Sequence, residues 1–252
     1  MTRFRRAVAA ELAAIGCVAA YNVIVTRIRR RARLPANLGA AVALAGFARM
    51  SGVSSSELGL SRANVGRGTR IGLVAAVPLA AASAAAVANP RTRRLMTDER
   101  ITGTSPAEAV FETLVRIPLE TALAEELIFR GVLLALGLGS RSRGWAIATS
   151  STLFGLWHVA PTLGAPARGS NDRPDALATT STAAVVATTA IAGAGFAWLR
   201  LRAGSVLAPT LAHAALNMAA FAGVRITCGT GSARARAVTS NSAAPQSVPE
   251  DV

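Results

Sequence analysis

Long apolar stretches place the strongest limit on how this chain can fold. A helix that crosses a bilayer needs about 20 mostly apolar residues. Seven stretches are candidates for such helices: Ala7–Thr26, Ala36–Met50, Ile71–Asn89, Val110–Gly137, Trp145–Leu163, Leu177–Leu199 and Val206–Gly223. The fourth is long and contains Pro118, and a helix break at this proline would divide it into two segments. The sequence therefore predicts an all-α, polytopic membrane helical bundle with about seven to eight transmembrane segments.

The charged residues between these stretches also fit a membrane protein. The net charge is +14, and every basic residue is arginine. The arginines are clustered beside the apolar stretches, for example from Arg27 to Arg33 and from Arg91 to Arg94. Cations at the ends of membrane helices contact lipid headgroups. The charge therefore predicts a lipid bilayer, and not a nucleic acid, as the partner, and it leaves the oligomeric state open.

Polar side chains interrupt the apolar stretches in the second half of the chain. A charged group inside a membrane span usually faces the protein interior and marks a functional site. The polar residues deep in the predicted spans include both histidines of the chain; they are Glu120, Glu125, Glu126, Arg130, His158, His213 and Asn217. We therefore expect the bundle to enclose a central polar site, in which Glu120 has no assigned role.

The spacing of these residues predicts which of them share a helix face. Glu126 and Arg130 are four residues apart, so they can form an ion pair that makes the helix tolerable in lipid. Glu125 is rotated by about 100° from Glu126 and is expected to point into a central cavity. His213 and Asn217 are also four residues apart, which places them on one face of the last span.

A third helix contributes His158. Phe154 precedes this histidine by four residues, and Trp157 is its neighbour in the chain. Phe154 is expected to pack under the polar site, and Trp157 is expected only to pack. Three helices thus each offer one polar face, and a bundle can bring those faces together.

A converging carboxylate, two imidazoles and an amide can hydrolyse a peptide bond. Glu125 and one imidazole can hold a water and remove its proton, while the other imidazole and Asn217 donate hydrogen bonds to the oxyanion. The same Glu125, His158 and His213 would also suit a catalytic zinc ion with an open position. The residue types do not separate these two interpretations. Their spacing differs from the HExxH pattern of a familiar zinc helix, which favours the metal-free interpretation.

Three motifs resemble the CPBP membrane proteases, a family that includes the CAAX prenyl endoproteases and bacterial bacteriocin-processing or immunity proteins. The motifs are EELIFRG (Glu125, Glu126, Arg130), FGLWH (Phe154, His158) and HAALN (His213, Asn217). The resemblance covers about Ser105 to Gly223. EExxxR or FxxxH alone would be weak evidence, but all three motifs in the family order on successive membrane helices are specific.

The resemblance implies an intramembrane endopeptidase of the glutamate type, acting on a membrane-associated protein or peptide without a required cofactor. Glu125 would be the general base, and His158 would orient its water. His213 and Asn217 would form the oxyanion site. Three further residues would support the site: Glu126, Arg130 and Phe154. The family is often labelled metalloprotease, so zinc is kept as an alternative, and no residue indicates whether the substrate is prenylated.

The resemblance also divides the chain into three regions. Residues 1–104 hold N-terminal membrane helices and basic loops, residues 105–224 form a CPBP-like catalytic membrane core, and residues 225–252 are a Ser/Ala-rich tail predicted to be disordered. Ala165–Ala176 contains Pro, Gly, Asn and Asp and is predicted to be a turn region. A composition rich in Ala, Arg and Gly without lysine is typical of a high-GC bacterium. We therefore expect a multi-pass protein of a bacterial plasma membrane.

A second class of function is a catalytically silent membrane scaffold, such as a bacteriocin-immunity or secretion partner. A scaffold need not keep all four polar residues of the predicted site, so their presence favours the enzyme. A transporter would be expected to show internal repeats, and no convincing repeat is found in the sequence.

Overall fold

Helices make up the whole of the regular structure that is described. The computed structural model describes residues 3–92, 101, 103–160 and 176–242, and these residues contain no β-strand. Seven helices are numbered here in chain order over these ranges. They are α1 (Arg3–Val25), α2 (Arg30–Met50), α3 (Val65–Ala88), α4 (Pro106 to Ser140), α5 (Arg143–Trp157), α6 (Ala176–Ala203) and α7 (Leu207–Ser242). The predicted all-α class is confirmed. The turn region predicted at Ala165–Ala176 lies outside the described ranges, except for Ala176, where α6 begins.

Four helices are long and apolar enough to cross a membrane among the residues described. They contain the spans Phe4–Val25, Arg62–Ala88, Thr182–Ala203 and Leu207–Thr227. Their outer faces carry apolar side chains such as Val74 and Ile191, which are 71% and 73% exposed. Lipid, unlike water, imposes no cost on such exposure, so the chain is a helical membrane bundle. The other helices do not meet this criterion: α4 carries seven charged side chains and α5 has 15 residues. Fewer segments than the predicted seven to eight therefore qualify as spans by length and composition.

The helix α4 is continuous, and the expected break at Pro118 is wrong. It starts where the Ser105 side chain accepts a hydrogen bond from the backbone N–H of Glu108, 3.2 Å away. Its α-helical and π-helical segments alternate: Pro106–Phe111 (α), Glu112–Leu123 (π), Ala124–Glu126 (α), Leu127–Leu133 (π) and Leu134–Ser140 (α). Pro118 lies in the first π segment, whose wider turn leaves room for the proline ring beside the preceding carbonyls.

The centre of the bundle is α4, which contacts α1, α2, α5, α6 and α7. All residues from 128 to 137 are buried. Around α4, α3 packs along α7 and α5 packs along α6. Glycines permit these close approaches: a Cβ on Gly72 would lie 3.0 Å from Cα of Ala208, and one on Gly155 would lie 2.6 Å from the carbonyl oxygen of Val186. The polar residues of α4 are therefore surrounded by other helices.

The segment between α2 and α3 folds onto the turn between α6 and α7. Nη2 of Arg200 donates a hydrogen bond to the carbonyl oxygen of Glu57 at 2.6 Å, and the N–H of Val206 donates to the carbonyl of Gly59 at 3.1 Å. The φ angle of Gly59 is +76°, and a Cβ there would lie 2.3 Å from Nε of Arg200. Both the left-handed backbone and the close contact require glycine. These bonds tie the N-terminal helices to the C-terminal pair.

The last helix extends into residues 225–252, the region predicted to be a disordered tail. Helix α7 continues to Ser242, and residues 243–252 lie outside the described ranges. No proline occurs between Pro209 and Pro245, and the sequence ARARA at 233–237 consists of residues with high helix propensity. A segment with little to bury can therefore still continue a helix that has already been nucleated.

Candidate active site

Glu126 and Arg130 form a buried ion pair within α4. Nη1 of Arg130 lies 2.9 Å from Oε1 of Glu126, and both side chains are fully buried. Nε and Nη2 of Arg130 have no hydrogen-bond partner among the described residues. The guanidinium carbon instead lies 4.1 Å from the centre of the Phe154 ring and 5.3 Å from that of Phe196. The pairing expected from the four-residue spacing is confirmed, and aromatic faces supply the rest of the contact with the cation.

The same oxygen of Glu126 also binds His213 on α7. Nδ1 of His213 lies 3.0 Å from Oε1 of Glu126, and because a carboxylate only accepts, Nδ1 is the donor. The ring is stacked on Phe196 with centroids 5.0 Å apart. With its orientation fixed from both sides, His213 directs Nε2 towards Glu125, where Nε2 lies 4.0 Å from Oε2. Glu126 is therefore more than a partner for Arg130, because it also orients an imidazole.

The two carboxylate oxygens of Glu125 have different surroundings. Oε1 accepts a hydrogen bond from the indole Nε1–H of Trp157 at 3.1 Å. Oε2 is buried, faces His213, and has no hydrogen-bond partner among the described residues. Trp157 was predicted only to pack, and that prediction is wrong because its indole donates to Glu125. Oε2 of Glu125 and Nε2 of His213 can bind one small polar molecule between them, because two hydrogen bonds of about 2.8 Å can span their separation.

Phe154 lies at the meeting point of the three predicted motifs. Its ring centroid is 5.0 Å from the ring of His158 and 5.8 Å from the ring of His213, and both contacts are edge-to-face. Its other face contacts Arg130. Phe154 thus brings side chains of α4, α5 and α7 into one cluster, as expected for a residue that packs under the site.

His158 and Asn217 are the other two residues that the sequence places in the site. His158 follows the last residue of α5, is partly buried, and directs Nδ1 to the carbonyl oxygen of Phe154 at 2.8 Å. Asn217 lies one turn beyond His213 on α7 and is also partly buried. The contacts of the described residues thus join Glu125, Glu126 and His213 directly. The ring of His158 contacts the ring of Phe154, and Asn217 shares the helix of His213.

Glu120 belongs to a second polar cluster, between α4 and the start of α2. Nε and Nη2 of Arg116 bind the two oxygens of Glu120 at 2.8 and 3.0 Å. Nη1 of Arg116 binds Glu112 at 3.1 Å, and Arg30 of α2 pairs with Glu112 at 2.7 Å and also with Glu108. Arg116 compensates the negative charge of Glu120, which explains why a carboxylate is tolerated inside the bundle. The sequence contained the signal, since Arg116 precedes Glu120 by four residues.

The described residues do not fit the three-ligand zinc site considered from the sequence. No group of three or more His, Cys, Asp or Glu side chains among them is arranged to hold a metal ion. Of the proposed ligands, Glu125 and His213 approach each other, and Nδ1 of His213 and Oε1 of Glu125 already have hydrogen-bond partners. We therefore derive no step through a metal.

Comparison with known families gives one match. Residues 108–219 match the family model described as "Type II CAAX prenyl endopeptidase Rce1-like". The matched range begins in the first turn of α4, ends in α7, and contains all three motifs of the sequence analysis. No curated protein and no solved structure matches the chain. The resemblance to the CPBP proteases is confirmed over residues 108–219, which are similar to the type II CAAX prenyl endopeptidases of the Rce1-like family.

Proposed function

We propose that this protein is an intramembrane endopeptidase that hydrolyses a peptide bond of a membrane-associated protein or peptide with a water activated by Glu125. The observation that carries the proposal is the approach of two buried polar atoms. Oε2 of Glu125, which has no other partner in the described part of the chain, lies 4.0 Å from Nε2 of His213. A buried carboxylate oxygen without a hydrogen bond is costly, and a water bound there would satisfy it.

The proposed reaction uses Glu125 twice. Oε2 takes a proton from the bound water, and the water oxygen attacks the carbonyl carbon of the scissile peptide bond. When the tetrahedral intermediate collapses, the C–N bond breaks and the carboxylic acid of Glu125 returns the proton to the leaving amine. One water is consumed, and Glu125 ends ionised as it began. No nucleophilic serine or cysteine is required.

The other polar residues are assigned to the oxyanion and to the water. We assign His213 and Asn217, on one face of α7, to the oxyanion of the intermediate. Donation from Nε2 of His213 requires the imidazolium form, because Nδ1 already donates to Glu126. His158 is assigned to orienting the water. The partners in this proposal are the lipid bilayer and the peptide substrate, no cofactor is needed, and the location is a bacterial plasma membrane.

The test is peptide cleavage by the purified protein in lipid nanodiscs. Matched peptides with and without a prenylated cysteine near the C-terminus serve as substrates, because the family description names prenyl endopeptidases. Glu125→Gln is expected to reduce kcat about 100- to 10,000-fold, as the loss of a general base does. His213→Gln is expected to reduce it about 100- to 1,000-fold, as the loss of an oxyanion donor does. Glu57→Gln, which removes an exposed carboxylate in the loop after α2, is the control and should cleave at the wild-type rate.

Three results would contradict the proposal. Wild-type cleavage by Glu125→Gln would exclude the carboxylate as the base. Loss of activity with a chelator, restored by zinc, would replace the metal-free mechanism with the metallopeptidase alternative. No cleavage of any membrane peptide by folded wild-type protein would favour the catalytically silent scaffold.

A further inference from the structure

We propose that Trp157 is a positioning residue that selects which oxygen of Glu125 acts on the water. This inference rests on the proposed role of Glu125 as the base. The indole Nε1–H of Trp157 donates to Oε1 at 3.1 Å, and Oε2 then faces His213. Both side chains are buried, with 8% exposure each. A carboxylate can rotate about its terminal bond, and the indole bond holds it in the orientation that points Oε2 at the water site.

The indole is itself held in place by residues of the N-terminal helices. Its ring is stacked on Tyr21 of α1, with centroids 6.2 Å apart and planes at 24°, and makes an edge contact with Phe129 of α4 at 5.8 Å. The hydroxyl of Tyr21 donates to Oδ1 of Asn37 on α2 at 2.7 Å. The amide of Asn37 in turn donates to the backbone carbonyl of Glu120 at 3.2 Å.

This chain of contacts extends the site beyond the family match. Tyr21 and Asn37 lie on α1 and α2, and the family model covers residues 108–219 only. The N-terminal helices are therefore expected to contribute to the rate of the reaction through the orientation of Glu125, in addition to their contribution to packing.

A tryptophan analogue can separate the hydrogen bond from packing. Replacement of Trp157 by β-(3-benzothienyl)alanine keeps the two fused rings and the stack on Tyr21 but removes the N–H donor. With rates normalised to the folded fraction, kcat should fall about 10- to 100-fold, as expected for the loss of a hydrogen bond to a charged group. KM should change less than twofold, because the indole bond is made to Glu125 and not to the substrate.

Another tryptophan of the chain provides the matched control. Trp198 on α6 is 58% exposed, and the same analogue there should leave kcat and KM unchanged. Tyr21→Leu, which removes the stack, should lower kcat about 3- to 10-fold, and Tyr21→Phe, which keeps the stack, should lower it less. A wild-type kcat for the analogue at position 157 would overturn the inference.

A spectroscopic measurement tests the bond independently of activity. Protein labelled with ¹⁵N at the indole nitrogen contains three tryptophans and should give three indole N–H signals. Glu125→Gln should shift the Trp157 signal and leave the signals of Trp145 and Trp198 in place; an unchanged Trp157 signal would overturn the inference. The outcomes also separate the two proposals: full activity of Glu125→Gln refutes the proposed function. An inactive Glu125→Gln beside a fully active analogue refutes only the role of Trp157.

Discussion

Removal of one member of the Glu126–Arg130 pair is expected to destabilise the protein strongly. Both side chains are fully buried, and the single hydrogen bond of the guanidinium among the described residues is the 2.9 Å bond to Glu126. Glu126→Leu would therefore leave a buried cation with aromatic contacts only. Breaking a buried pair from one side costs about 3–5 kcal/mol, which corresponds to about a 200- to 5,000-fold change in the folding equilibrium.

Two double variants separate charge compensation from the orientation of His213. Glu126→Leu/Arg130→Met removes both charges at similar volume and should recover most of the lost stability. Glu126→Gln/Arg130→Met should recover it too, while keeping an oxygen that can accept the Nδ1–H of His213. Unfolding in mixed micelles gives the stabilities, and peptide cleavage in nanodiscs gives the activities. We expect the glutamine variant to be more stable by about 1–3 kcal/mol, because the leucine variant leaves the buried Nδ1–H of His213 without an acceptor. We expect measurable cleavage only in the glutamine variant. A loss below about 1 kcal/mol for Glu126→Leu, or equal cleavage by both double variants, would refute this reasoning.

Two further predictions concern glycines, each with a second glycine as control. Gly193→Ala should lower the free energy of unfolding by about 1–3 kcal/mol and reduce cleavage, because its Cβ would lie 2.9 Å from Nη2 of the buried Arg130. Gly195→Ala, whose Cβ would meet nothing within 4 Å, should leave the free energy of unfolding and the cleavage unchanged. Equal effects of the two substitutions would contradict a steric contact between position 193 and Arg130. Gly59→Ala should unfold at a lower temperature in detergent than Gly52→Ala. Both glycines have positive φ, +76° and +95°, but only at Gly59 would a Cβ overlap a guanidinium. Equal unfolding temperatures would show that backbone strain alone, and not overlap with the guanidinium, lowers the stability.

The sequence predicted best those contacts that a single helix determines. Glu126 and Arg130 are four residues apart on α4, and helix geometry alone brings such a pair together. The same rule applied to Arg116 would have identified the partner of Glu120, which was left without a role because Glu120 lies outside the matched motifs. The all-α class could be predicted for a similar reason, because the length and composition of each apolar stretch are properties of a single segment.

Contacts between helices were harder to predict, because they depend on how each helix is rotated against its neighbours. The sequence did not predict that Nε2 of His213 lies 4.0 Å from Oε2 of Glu125, because this distance depends on how α7 is rotated against α4. Trp157, which donates to Glu125, is stacked on Tyr21, a residue that no motif includes. The π turns around Pro118 depend on hydrogen bonding that side-chain pattern does not encode.

The sharing of Glu126 between two helices has a consequence for how the protein is made. A ribosome synthesises α2 before α4, so Arg30 is already in place when Glu108 and Glu112 reach the membrane. Trp157, which binds Glu125, follows on α5. His213, which binds Glu126, is synthesised later still, on α7. The site therefore stays incomplete until α7 inserts. Until then an unfinished chain lacks the imidazole that approaches Glu125.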